Sequence, residues 1–296
     1  MGRRGRILGV IAVIALLVGL GGCGGSSAPT RPSSIPASST TSATPGTTAP
    51  PPTTQAPAPL DVRVYLLHGE TIDVAHRTVP PTVRTATAAL DELLAGPTPT
   101  ERALGLTTAV PPGTRLLGVT IAQGTATVNL TSAFASGGGS LSMRARLAQV
   151  TFTLTQFPTV NGVVYQLEGT PVTVFGGEGI MLDHPTTRAM FEDLTPAILV
   201  ETPGAGSAVH SPVRIAGTAN VFEAQFEAEL TDSSGAVIAT AHVTASSGTG
   251  TRGTFDTAIS FPPGSHGAAT LSVFDTSPKD GSRIDLVQIP LQLADS

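Results

Sequence analysis

Cys23 is the only cysteine in the 296 residues of this chain. No disulfide can staple the chain internally, so whatever folds must do so around packed apolar cores. The cysteine stands directly behind Leu20-Gly21-Gly22, and the sequence before it is patterned for export. Arg3, Arg4 and Arg6 make a cationic start, and residues 7–20 are an uncharged apolar run followed by small residues. That layout predicts a secretory signal over residues 1–22. The run is shorter than the roughly 20 apolar residues that a membrane-spanning helix needs.

Leu20-Gly21-Gly22-Cys23 resembles the lipobox of bacterial lipoproteins. The resemblance implies cleavage before Cys23, a diacylglycerol on its sulfur and fatty acyl chains such as palmitate. The protein would then be held at the outer face of the cytoplasmic membrane, in the cell-wall zone. Each buried acyl CH₂ contributes about 0.8 kcal/mol, so two or three chains anchor stably where one does not. The alternative is a soluble secreted protein with an incidental cysteine.

The chain carries −5, and loss of the three signal arginines leaves −8 on the remainder. Lys279 is the sole lysine and there is no basic cluster, which argues against nucleic acid as a partner. There is no tryptophan, and Tyr65 and Tyr165 are the only tyrosines, so few aromatic faces are on offer for stacking sugars.

Composition then divides the chain. Residues 23–59 hold the lipid-bearing cysteine and a tether. Residues 26–59 are almost wholly Ser, Thr, Pro, Ala and Gly, which cannot bury enough apolar surface to offset chain entropy and are expected to be disordered. Such a tether spans roughly 35 Å as a coil and on the order of 100 Å as polyproline.

Residues 60–195 read as an α+β domain. Val62, Val64 and Leu66 alternate with Arg63, Tyr65 and Leu67, then a turn at His68-Gly69 leads into residues 71–79, a hairpin. Val83, Ala86, Leu90, Leu93 and Leu94 recur at helical spacing up to Gly96-Pro97. Residues 115–121 and 125–130 make a second hairpin. Gly137-Gly138-Gly139 precedes a helix that Ser140 is expected to cap, running to Pro158. Residues 163–167 and 172–174 make a third hairpin around Gly169, and a short helix at 187–194 closes the segment. The expected order is ββα three times, with sheet on one side and helices on the other.

Residues 196–296 have no helical period. Phe222, Ala224, Phe226, Ala228 and Leu230 alternate with Glu223, Gln225, Glu227 and Glu229, and seven short strands fit the segment. That count predicts an immunoglobulin-like β-sandwich.

Leu93-Leu94-Ala95-Gly96-Pro97, Ala109-Val110-Pro111-Pro112-Gly113-Thr114 and Phe134-Ala135-Ser136-Gly137-Gly138-Gly139-Ser140 resemble a GerMN domain, as does the stretch from Gln149 to Pro158. The stretch from Pro212 to Ala224 and that from Gly248 to Phe255 resemble the immunoglobulin-like (Gmad-type) domain of germination-associated proteins. The resemblance implies a cell-envelope role near peptidoglycan and membrane complexes, and it supplies no catalytic residue.

The residues themselves offer little chemistry. Gly248-Thr249-Gly250-Thr251-Arg252-Gly253 matches the dinucleotide-binding pattern, but a strand rather than a helix follows, so no helix N-terminus waits for a pyrophosphate. His68, His76, His184, His210, His242 and His266 show no zinc spacing, and no cofactor or metal site is expected. Asp183-His184 has no G-x-S-x-G elbow to serve. Gly137 to Ser140 could offer amides to an anion, though a loop and N-cap is the plainer reading.

If the seven strands alternate in direction, the loops at 219–223, 246–252 and 276–282 share one end of the sandwich. They present Asn220, Arg252, Lys279 and Asp280, with Arg283 beside them, as candidate interaction residues. The expectation is a non-enzymatic, lipid-anchored module that binds or organises envelope proteins or peptidoglycan, of open oligomeric state. A wall-polymer hydrolase, with convergent Asp, Glu or His in a cleft, is the alternative. A sugar-binding module with an exposed platform at Tyr65 or Tyr165 is the third reading.

Overall fold

The computed structural model describes residues 58–294 apart from residue 178. Cys23, the signal segment and all but the last two residues of the tether lie outside the described residues.

β1 (Leu60–His68) and β2 (Thr71–Val79) pair antiparallel along their whole length, from Leu60 opposite Val79 to His68 opposite Thr71. α1 (Thr85–Leu94) follows the Pro80-Pro81 break and buries Ala89, Leu90 and Leu93. α2 (Pro99–Ala103) is a short helix the periodicity did not predict. A capping box makes it: Glu101 N–H donates to Thr98 Oγ1 at 3.2 Å, and Thr98 N–H donates to the Glu101 carboxylate at 2.7 Å. β3 (Leu106–Thr107) joins the free side of β1, giving the order β2-β1-β3.

β4 (Leu116–Ala122) and β5 (Thr125–Leu130) form the expected second hairpin. α3 (Ser140–Leu154) has Gly139 at its cap position, so Ser140 is the first helical residue rather than the cap, and the helix ends four residues short of Pro158. β6 (Gly162–Leu167) then returns parallel to β5, Thr125 opposite Gly162. The unit is therefore a β-α-β crossover and not a third independent ββα repeat, because a strand reached through a helix can re-enter beside its predecessor in the same direction. β7 (Thr170–Pro171) is only two residues long, and Pro171 cannot donate to a ladder. The sheet order is β4-β5-β6-β7. β8 (Val174–Phe175) and β9 (Ile180–Met181) form a separate ribbon, and a 3-10 turn at Arg188–Leu194 replaces the expected closing helix.

The expectation of one sheet backed by helices is corrected: there are two main sheets, and α3 touches strands of both. Every residue of α3 from Ala145 to Leu154 is buried. Its buried polar groups are therefore all in use. Gln149 donates to Tyr65 O at 3.0 Å and accepts from Ala109 N–H at 2.8 Å. Thr151 Oγ1 meets Tyr165 Oη at 2.9 Å. This is the pattern that makes polar burial tolerable.

The second part is all β: β10 (Ile198–Thr202), β11 (Ala208–Val209), β12 (Val213–Ala219), β13 (Gln225–Asp232), β14 (Val237–Thr244), β15 (Gly253–Ile259), β16 (Gly267–Thr276) and β17 (Arg283–Leu293). The sheets are β10-β12-β15 and β11-β17-β16-β13-β14. Phe226 of one meets Phe255 of the other edge-to-face at 5.0 Å between ring centres, inside a core with Ile215, Leu230 and Leu271. The seven expected strands are present, with the two-residue β11 in addition.

The described residues form one compact unit with two large apolar cores, and β10 belongs to both. Ile198 and Val200 point into the sandwich core, while Leu199 is buried in the core of the first domain. A bulge between Val200 and Thr202 interrupts the β10 ladder at Glu201, whose side chain also turns to the first domain.

Candidate functional site at the domain junction and loop end

Glu201, at the bulge in β10, sits in a polar cluster. Its carboxylate accepts from Arg188 Nη1 at 2.7 Å, from Arg63 Nη1 at 3.2 Å and from the Tyr65 hydroxyl by a short hydrogen bond. Arg188 also donates to Tyr65 Oη at 3.0 Å and to Thr155 Oγ1 at 2.9 Å, and it stacks over the Phe152 ring at 4.7 Å. Burial alone would push the Glu201 carboxyl up. Arg188, then Arg63, outweigh it and hold the group below the usual glutamate range. Burial pushes the Tyr65 hydroxyl well up, so it stays a donor. His76 joins from β2, with Nδ1 at 2.8 Å from Asp61 and Nε2 at 2.8 Å from the Glu201 carbonyl oxygen.

A second contact lies on the other side of the boundary. Glu192, in the 3-10 turn, accepts from Arg252 at 2.9 and 3.0 Å and from Asn220 Nδ2 at 2.8 Å. Arg252 also donates to Pro196 O at 2.8 Å, and Asn220 Oδ1 accepts from Gly250 N–H at 2.9 Å.

These contacts revise the list of interaction residues. The registers do put the three loops at one end: Ala219 lies opposite Gly253, Gln225 opposite Thr244 and Thr276 opposite Arg283. That end, however, is the one that receives the chain from the first domain. Asn220 and Arg252 are spent on Glu192 rather than offered to solvent. Arg283 pairs with Glu229 at 2.8 Å and covers the Phe274 ring at 4.1 Å. Asp280 accepts from Ser282 within its own turn. Lys279 and Asp280 remain exposed. Sequence patterning assigned Phe222 to a strand face, but the side chain is 63% exposed in the 219–223 loop. Glu223 and Ala224 there take positive φ of 52° and 59°, an uncommon backbone for such residues. Gly248 makes room for it, since a Cβ would come within 2.5 Å of Val221 O and 2.6 Å of Ala224 N.

That packing also explains the G-x-G-x-x-G string. Gly248 and Gly253 are sites of close backbone approach, with a Cβ on Gly253 falling 2.3 Å from Ser247 N, and β15 follows directly. At Gly137–Ser140 the loop carbonyls are turned on a cation of the chain itself. Arg146, 2% exposed, donates to Phe134 O, Ser136 O and Gly137 O at 2.7–3.0 Å. Neither tyrosine forms a platform: Tyr65 is fully buried, and Tyr165 is buried with its hydroxyl pushed up to about 12 by burial. Among the described residues no three His, Cys, Asp or Glu side chains gather as a metal site.

Residues 63–173 match the family model described as sporulation and spore germination, and residues 197–282 match that of the immunoglobulin-like domain of bacterial spore germination. This chain carries a GerMN domain followed by a Gmad-type immunoglobulin-like domain. Among solved structures, the tandem GerMN domains of the sporulation protein GerM from Bacillus subtilis are 16% identical, with a TM-score of 0.39. The match covers 69% of this chain and 62% of that one, so the chain spans under two thirds of that structure. The first GerMN domain of the same protein is 24% identical over 44% of this chain and 98% of its own, with a TM-score of 0.37. No curated protein matches. The junction pairs Tyr65, in the GerMN match, with Glu201, in the Gmad-type match, while Arg188 and Glu192 stand between the two matched ranges. No helix among the described residues is long and apolar enough to cross a membrane.

Proposed function

We propose that this protein is a lipid-anchored, non-enzymatic envelope component of the germination-protein type, whose two domains act as one body to bind other envelope proteins or peptidoglycan. The observation that carries the reading is the junction. Leu199, Glu201 and Glu192 tie the domains together, which favours presentation of a fixed surface over a moving cleft. The presented surface is the loop end, with Phe222 held out by a constrained backbone and Lys279 and Asp280 beside the same end.

One observation favours a hydrolase instead: Asp61, His76 and Glu201 line a common cleft with Arg63, Arg214 and Asp256. Against it, Glu201 is held ionised by two arginines and Asp256 is paired with Arg214, so neither is a poised proton donor.

Photo-crosslinking in intact cells from residue 222 or 279, with residue 234 at the opposite end as control, tests the binding face. The expected result is capture of envelope protein or wall fragments from 222 and 279 only. Equal capture from all three positions removes the loop end from the reading. Fatty-acid labelling lost in Cys23→Ser is expected for the anchor. Turnover of purified wall by the protein, abolished in Glu201→Gln, would replace the binding reading with the hydrolase.

A further inference from the structure

β4 is the outer strand of its sheet, and no backbone hydrogen bond joins it to any described element except β5. Its residues, Leu116-Leu117-Gly118-Val119-Thr120-Ile121-Ala122, hold neither charge nor proline. The other outer strands longer than two residues are each marked by ionisable groups: Asp73, His76 and Arg77 on β2, Glu201 on β10, His242 on β14 and Asp256 on β15. Natural sheets blunt exposed edges with charge, proline or cover, and an edge left plain is one that pairs. Leu117 is 47% exposed and Ile121 39%, so the strand presents apolar surface as well as backbone.

What the edge would pair with is written on α1. Arg84, Thr87 and Asp91 line one wall of a cleft whose other wall is residues 116–120. Thr87 and Asp91, four apart, lie on one face of α1, and Arg84 is the cap residue just ahead of the helix, so the cation stands at its N-terminal end and the carboxylate near the other. Neither Arg84 nor Asp91 has an ion-pair partner among the described residues. Burial and the neighbouring Glu92 push the Asp91 carboxyl up with no cation to offset them. A positive end and a negative end flanking a small central residue form a self-complementary face under two-fold rotation.

We propose that the protein self-associates through β4, antiparallel to β4 of a second copy about a two-fold axis near Val119 and Thr87. Two four-stranded sheets then become one of eight, and the α1 helices cross the seam antiparallel. Arg84 meets Asp91 of the second copy at one end of the seam, and the reciprocal pair forms at the other. The strand supplies backbone hydrogen bonds and the helix pair fixes the register.

Sedimentation of the full chain in detergent tests this. A concentration-dependent dimer is expected. Arg84→Asp and Asp91→Arg should each weaken it, by about tenfold for two ion pairs lost to repulsion. The doubly swapped chain should recover the wild-type constant, which also shows that the single variants fold. Ile121→Lys, on the open edge, should abolish the dimer while leaving the circular dichroism unchanged. A wild-type chain that is monomeric at every soluble concentration overturns the proposal, as does a dimer indifferent to the swaps. So does in-cell crosslinking from residue 120 that captures only a different protein, which would give this edge to an extended segment of that protein.

Discussion

Two carboxylates cross the domain boundary in opposite directions, and they differ in depth. Glu201 reaches from the sandwich into the GerMN domain with its side chain 12% exposed, among Arg188, Arg63 and Tyr65. Glu192 reaches from the GerMN side to Arg252 and Asn220 with its side chain 40% exposed. The chemistry is nearly the same, a carboxylate on arginine. Water makes the difference: a buried ion left without its partner keeps its desolvation cost, whereas a half-exposed one is rehydrated.

The comparison is sharpest if the buried side is cut. Leu199→Ala empties a site that is 2% exposed and should cost about 3 kcal/mol, read as a loss of roughly 6–12 °C in the thermal midpoint. Glu201→Ala should cost a similar amount, about 3 kcal/mol, because Arg188 and Arg63 lose their shared counter-ion in a largely enclosed place. A loss below that of Glu192→Ala would reverse the ranking of the two contacts.

Acid should separate them next. The Glu201 carboxyl is held below its ordinary value, so its contribution is fully present above the unfolded glutamate value of about 4.3 and is lost as pH falls through the folded one. Denaturant titrations from pH 6 down to pH 3 should show the gap between wild type and Glu201→Gln closing. A gap that is constant with pH would remove the ion pairs from the account.

Glu192→Ala should cost about 1 kcal/mol, and added salt should shrink that difference, since both partners meet solvent. The smallest effect belongs to Arg214 and Asp256, a well-formed pair that is fully exposed. Asp256→Asn should leave the thermal midpoint where it was.

The elements that were legible in the sequence are those whose pattern is local. Alternation located β1, β2, β4, β5 and the sandwich strands, and helical spacing located α1 and α3. Pairing sense was not local: nothing in residues 162–167 says that they lie parallel to residues 125–130. α2 was legible in principle, since Thr98-Pro99-Thr100-Glu101 is a capping box with proline in the first turn, but five residues show no period. The junction was harder. Glu201 ends an apolar run and reads as a solvated strand end, and its partner Arg63 is 138 positions away in the chain. Asn220 and Arg252 read as loop residues at one end, while the surface they meet belongs to another domain and leaves no mark on their own pattern. Phe222 keeps the alternation of β13 and so reads as a core residue, but the positive φ of Glu223 and Ala224 breaks that register just before the strand begins.

β10 has a consequence for how such proteins can be rearranged. A strand that divides its side chains between two cores makes the sandwich a poor free-standing module. Grafted behind an unrelated domain, or produced without the one before it, the sandwich would turn Leu199 out to water and strand Glu201 without cations. Recombination at this boundary would succeed only if alternate residues of one five-residue strand changed with the new neighbour.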